Sequence, residues 1–408
     1  MSRVARFAAV AGVLILAGFG GLGLLELGMA DRYADSDPER ALGWRASHPT
    51  ALVRRGEELL AEGRVLEASD LARQALRADP LAARGYRLLA EAALSNGDSQ
   101  KAEDLYRIVA RYDPRDLSAR IWLLNRHLAL LDAASAIADL DALLRAEPRL
   151  LPGLQATVIG LASRAETQPD LIRMLASDPP WRKPVLDLVI RQAPDRKAVA
   201  SLVSQLRAVP GRGFDRTLDQ AWIERLIRDK EFTTAYLAWV AGLAANGPRP
   251  IANLFNGDFT EPPSNQGFDW RIQAVKGARA EFLPADPPAQ GLALRLSFDD
   301  QRVAFAHVEQ LLLLGPGDYR FHGLVKLEDL HNPRGLVWAL VCGEDGRPIA
   351  SSEALVGTAP WREFAFDFGV PDTACTAQWL RLRLPARIPA EQRIEGAIWF
   401  DQLRILRR

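Results

Sequence analysis

The sequence predicts a multidomain chain: an N-terminal transmembrane helix, an all-α solenoid of helical repeats, then an all-β jelly-roll sandwich. Three observations carry this. Phe7 to Leu25 is a run of 19 residues without a charge. Pro80, Pro114 and Pro148 recur every 34 residues. After the turn-rich stretch Asn246-Gly247-Pro248-Arg249-Pro250, helical periodicity gives way to short alternating strands.

Composition narrows the function classes. The 408 residues leave room for two or three domains at roughly 150 residues each. Apolar residues at 48% and charged residues at 25% make the ordinary globular mix, against global disorder or a polytopic membrane protein. Lys and Arg total 51, as do Asp and Glu. With no basic excess, nucleic acid is not an expected partner. The two Cys and five His show no zinc spacing, and no HExxH, P-loop or Gly-x-Ser-x-Gly occurs. Asp299 and Asp300 are adjacent, so on a strand they point apart, unlike a glycosidase pair. Asp269 could face Glu309 across a cleft, with only their polarity to support it. An enzyme is not expected.

The apolar run is long enough to cross a bilayer core of about 30 Å. Arg3 and Arg6 precede it, while Glu26, Asp31, Asp35 and Asp37 follow. That bias places the N-terminus in the cytoplasm and the rest outside it, as a single-pass inner-membrane protein with a periplasmic C-terminal part. Gly28-Met29-Ala30 also suits a cleavage site, so a removed signal peptide is the competing reading. Gly18 to Gly23 matches GxGxxG, but in an apolar span it lacks the strand-then-helix context of nucleotide binding.

In the 34-residue register, Ala68, Ala102 and Ala136 recur on the second helix of each unit, and Gly63 and Gly97 mark the turn between helices. Gly56 and Ala90 fall where two helices cross. Leu52 and Tyr86 fill the first large apolar position, where the third unit has Arg120. Residues 49–148 thus resemble three tetratricopeptide repeats, in which small residues let antiparallel helices approach and Pro ends the second. The resemblance puts Glu57, Leu60, Arg84, Arg87, Glu91, Leu94, Ile121, Asn125 and Leu128 along the groove lined by the first helices. That groove would hold a protein partner, or the array is a spacer. Of the carboxylate clamp that some members use, only Asn125 falls on a matching position.

Residues 31–48 are expected to be a linker, and 149–247 diverged helical pairs capping the array. Helices are expected over 150–165, 183–191, 196–208 and 217–246, with a break at Asp178-Pro179-Pro180-Trp181. Trp122, Trp181, Trp222 and Trp239 are expected to pack between helices.

From 248 to 408, strand-length runs at 292–298, 303–314, 319–327, 336–342, 362–368, 378–384 and 397–406 indicate a sandwich or jelly roll. Asn256-Gly257-Asp258-Phe259, Gly267-Phe268-Asp269-Trp270, Gly315 to Phe321, Trp361 to Phe364 and Ile398 to Leu403 follow one another. In that order they resemble the galactose-binding-like jelly roll of carbohydrate-binding modules. The resemblance implies a possible structural calcium at Asn256, Asp258 and Asp401; no other cofactor is expected. The alternative is that Asp258 serves a turn and Asp401 accepts a backbone hydrogen bond. Alternation pairs Asp269 with Arg271, His307 with Glu309, Arg295 with Ser297, and His322 with Lys326. The glycan-binding candidates are Asp269, Trp270, Arg271, His307, Glu309, His322 and Trp338, a polar fork beside an aromatic plate. Their bland alternative is a solvated sheet face with internal ion pairs, and the five Trp of the domain, Trp270, Trp338, Trp361, Trp379 and Trp399, are expected more as core than as platform. Cys342 and Cys375 are expected to form a disulfide in an oxidising compartment, or to be two buried thiols.

Together the modules imply a membrane-anchored periplasmic scaffold that engages a protein partner and a polysaccharide, in assembly or export of cell-surface polysaccharide. Competing readings are an adaptor whose jelly roll binds no sugar and, more remotely, a glycan-active enzyme.

Overall fold

The computed structural model describes residues 25–210, 214–244 and 252–408. The expected membrane span lies outside them except for Leu25. Among the described residues, no helix is long and apolar enough to cross a membrane. The chain divides into two compact units, residues 1–189 with 193–212, and 190–192 with 213–408.

The first unit is helical. Residues 25–33 form a helix, followed by α1 (Pro38–Trp44). This segment was expected to be a linker. Asp37 caps α1 by accepting from the Arg40 amide at 3.0 Å, and Pro38 fills the first position, where a missing N–H costs nothing. Three helix pairs follow: α2 (Pro49–Ala61) with α3 (Val65–Ala78), α4 (Ala83–Ser95) with α5 (Ser99–Tyr112), and α6 (Leu117–Ala129) with α7 (Ala133–Ala146). Corresponding helices begin 34 residues apart. Each second helix stops two residues before its proline, as expected where the residue preceding Pro is pushed out of α conformation. Ala68, Ala102 and Ala136 are fully buried. A Cβ on Gly56 would overlap the end of the Leu88 side chain, which would have to shift; the equivalent residue of the next pair is Ala90. Gly63 and Gly97 turn at φ +79° and +78°; the third turn puts Leu131 at +59°.

Beyond Pro148 the pairs shorten. α8 (Gln155–Ser163) covers part of the expected 150–165 helix, which opens instead as the 3-10 turn Pro148–Leu150. α9 (Gln168–Ala176) was not anticipated. Pro169 lies in its first turn, the one place a helix tolerates proline. α10 (Arg182–Gln192) and α11 (Arg196–Arg207) follow as expected.

The second unit joins a helical hairpin, α12 (Arg216–Arg228) and α13 (Phe232–Ala244), to an antiparallel sandwich. One sheet has the order β1 (Arg271–Ile272), β4 (Val308–Leu312), β9 (Gln378–Arg383), β6 (Val337–Cys342), β7 (Pro348–Ser351). The other runs β2 (Ala278–Pro284), β3 (Leu292–Arg302), β10 (Arg393–Arg407), β5 (Gly317–His331), β8 (Gly357–Val370). Between them Phe259, Trp270, Phe321, Trp338, Ile398 and Phe400 form a closed core. Cys342 and Cys375 are disulfide-bonded with Cα atoms 5.1 Å apart. The hairpin was expected to extend the helical array. Here it packs on the sandwich: Trp239 meets Phe255 and Phe268 at ring-centroid distances of 4.9 and 5.6 Å, and Tyr236 meets Phe268 edge-on at 5.0 Å.

Candidate functional site

Strand register sorts the glycan candidates into separate places. Trp270 and Trp338 are completely buried, their centroids 5.8 Å apart in the core. An enclosed ring cannot receive a ligand, so neither is an aromatic plate. Asp269 is buried too, and its carboxylate accepts from the amides of Ser264 and Trp270 at 2.7 Å each. It braces a loop and does not face Glu309.

Arg271 and Glu309 are register partners on the outer side of the first sheet. Glu309 accepts from Arg381 at 2.6 Å, and Arg271 donates to Glu224 of α12 at 2.9 Å. Both guanidinium groups lie over Trp379, at 5.4 and 5.2 Å from its centroid. This face is tied into the helical hairpin. His307 instead lines a cleft of about 340 Å³ between the edge strands β1 and β2, beside Phe282, Phe305 and Arg279.

The second sheet presents the open polar face. Register aligns Glu281, Arg295, Trp399 and Lys326 across β2, β3, β10 and β5. Ile398 and Phe400 point into the core, so Trp399 points out. Trp361 of β8 and Trp399 of β10 have ring centroids 6.4 Å apart at an interplanar angle of 69°. Arg295 and Lys326 flank Trp399 at 5.5 and 5.3 Å. Glu281 pairs with Arg295 at 3.0 Å and Glu328 with Lys326 at 3.0 Å. Burial works to raise the Glu328 carboxyl, but Lys326 at 3.0 Å and the nearby Arg295 bring it below the ordinary value. His322 belongs to this face as the partner of Arg404. The face is therefore two half-exposed indoles inside a fixed set of charged hydrogen-bonding groups. From sequence, Trp361 and Trp399 were expected in the core with the other Trp of the domain; both are instead partly exposed.

The three residues that the resemblance assigns to calcium each make hydrogen bonds within the protein. Asp401 is fully buried, and its oxygens accept from the amides of Gln290 at 3.0 Å and Gln402 at 2.7 Å. Burial pushes its carboxyl up. Asp258 accepts from Thr260, and the Asn256 side chain donates to the Glu261 carbonyl. Among the described residues, no group of three or more His, Cys, Asp or Glu converges to hold a metal.

In the helical unit, Arg87 gathers the groove charges. It donates to Glu57 and to Asp116 at 3.0 Å each, with Glu91 at 3.6 Å. Burial raises the Glu91 carboxyl despite Arg87. Asp116 was not anticipated in the groove. Arg84 turns away to Asp35 at 3.2 Å, while Ile121 and Asn125 are exposed.

No protein-family model and no curated protein matches the sequence. Among solved structures, the C-terminal sandwich resembles carbohydrate-binding modules. One, described as "CBM4 structure and function", is 16% identical, covering 38% of this chain and 99% of that chain at a TM-score of 0.29. Another, TmCBM61 in complex with β-1,4-galactotriose, is 17% identical, covering 39% and 100% at 0.25. The chain also matches Naa15/Naa10 bound to HypK-THB, 17% identical, covering 56% and 37% at 0.30. None is close enough to assign a residue role here.

Proposed function

We propose that the chain is a non-catalytic adaptor of the cell envelope, anchored by residues 7–25. Its tetratricopeptide-type array takes a protein partner in the groove around Arg87, and its sandwich engages a glycan in assembly or export of a surface polysaccharide. The observation that carries the glycan reading is the Trp361–Trp399 pair on the open face of the second sheet. Sugars present C–H faces that stack on indoles and hydroxyls that bond to charged groups beside them. Arg295 of β3, Lys326 and Glu328 of β5, and Glu281 of the edge strand β2 supply those groups around Trp399 of β10. The first sheet offers less, since its outer charges already bond to each other and to α12.

A glycan array probed with the full chain tests this reading. Retention of a polysaccharide is expected, with Trp399→Ala and Trp361→Ala each weakening it about tenfold. If no glycan is retained, the adaptor with a non-binding sandwich replaces it; if both variants bind like the parent, the indole face is not the site.

A further inference from the structure

The third helix pair breaks the apolar pattern of the first two at three register positions. Leu52 and Tyr86 correspond to Arg120, Leu59 and Ala93 to His127, and Leu71 and Leu105 to Asp139. The structure brings these three together. Arg120 donates to Asp139 at 2.9 Å and to the Ala110 carbonyl at 3.1 Å. The other Asp139 oxygen lies 2.8 Å from His127 Nδ1. An ionised carboxylate only accepts, so the shared proton sits on Nδ1. Nε2 is buried without a hydrogen-bond partner, as is Arg120 Nε, and the Glu103 carboxylate stands 4.0 Å from Nε2.

Beside this triad lies a cavity of about 280 Å³, walled by Arg107 and Arg111 of α5, Arg120 and His127 of α6, and Ser135 of α7. It is built by the second helix of one pair and by both helices of the next, and none of the first-helix residues expected in the groove lines it. The lining cations are Arg107, Arg111 and Arg120, with His127 next to them. Asp139 is the carboxylate in the lining; Glu103 is bonded to Arg107 and Arg126, and Asp132 caps α7. Three lining arginines meet one lining carboxylate. A buried ionic triad is a poor source of stability compared with the leucines it replaces, while a half-enclosed surplus of positive charge attracts an anion.

We propose that this cavity is a binding site for an oxyanion, a carboxylate or phosphate group borne by a ligand or partner. Arg107 and Arg111, one helical turn apart, make the outer contacts. Arg120 and His127 form the floor, and Asp139 and Glu103 position them.

Isothermal titration of the full chain with inorganic phosphate, and separately with a terminally blocked Asp-Asp peptide, tests the site. Arg111→Gln is expected to weaken binding about tenfold, the loss of one charge-assisted contact. Arg77→Gln and Arg145→Gln, at the same register in the neighbouring units, are expected to leave it unchanged. Binding of phosphate alone assigns a phosphorylated ligand; binding of the peptide assigns an acidic protein segment. Binding of neither probe, or equal weakening in all three variants (an adventitious ion only), overturns the proposal. The surface position of Arg111 keeps the fold intact, which unchanged thermal unfolding would verify.

Discussion

One oxygen of Glu224 accepts both from the Gly267 amide and from Arg271, each at 2.9 Å. A single helix carboxylate thus fixes the loop before β1 and the first residue of β1. Gly267, at φ +58°, leaves no room for a Cβ against Trp239, so helix and loop meet at backbone distance. Glu224→Ala would leave Arg271, mostly buried, without its carboxylate. The expected loss is about 2 kcal/mol of stability, from an unpaired charge at a partly solvated site. Chemical denaturation followed by Trp fluorescence would measure it; a midpoint within error of the parent would mean the hairpin is not held there.

The third inter-helix turn carries a removable strain. Leu131 adopts φ +59°, where Gly63 and Gly97 occupy the equivalent turns, and its side chain is exposed. A left-handed residue with a Cβ costs roughly 1–2 kcal/mol, partly offset because glycine loses more entropy on folding. Leu131→Gly is therefore expected to stabilise by about 0.5–1 kcal/mol. The reciprocal Gly97→Leu is expected to destabilise by a similar amount. Thermal melts of the two variants moving in the same direction would refute this account.

Much of this organisation is legible in sequence because it rests on short-range periodicity. Three prolines and three alanines at one spacing locate the helix pairs, and alternation locates β3, β5, β8, β9 and β10. What pattern cannot supply is the surface an element packs against. Trp222, Leu226 and Trp239 show the same helical spacing whether they meet another helix or a sheet, so the docking of α12 and α13 on the sandwich was invisible. Trp270 was a candidate plate because it lies between the polar Asp269 and Arg271, yet its ring lies at the centre of the core. Trp399, expected in the core, is turned outward between the inward Ile398 and Phe400, as the pleat of a strand requires. Arg120 was noticed as an irregularity, but its partners Asp139 and His127 come together only in the fold.

Glu91 gives a pH test with a definite sign. Burial raises its carboxyl above the ordinary value in the folded chain, although Arg87 works the other way. A raised carboxyl means that the folded state binds the proton more tightly than the unfolded one. Its stabilising contribution is full below the ordinary carboxylate range and is lost as pH rises through the raised folded value. Glu91→Gln removes the ionisation. A small rise in Tm over the parent is expected at neutral pH, shrinking to nothing in acid. A variant less stable at neutral pH would show that the 3.6 Å contact with Arg87 outweighs burial.

The disulfide joins β6 to the segment leading into β9, two neighbours in the first sheet. Their positions are 33 residues apart in sequence. Closing a loop of that size removes about 3–4 kcal/mol of denatured-state entropy in the chain-entropy treatment. Both cysteines are buried, so serine replacements would add hydroxyls with no planned partner. Alanine is the cleaner substitution. Cys342→Ala with Cys375→Ala should lower stability by about 3 kcal/mol, a large part of a typical domain's total. The oxidised parent treated with a reductant under partial denaturation should approach the double variant. Maleimide labelling of the denatured, unreduced chain should find no thiol. Two labelled thiols, or a double variant as stable as the parent, would show that the bridge does not form in the native protein.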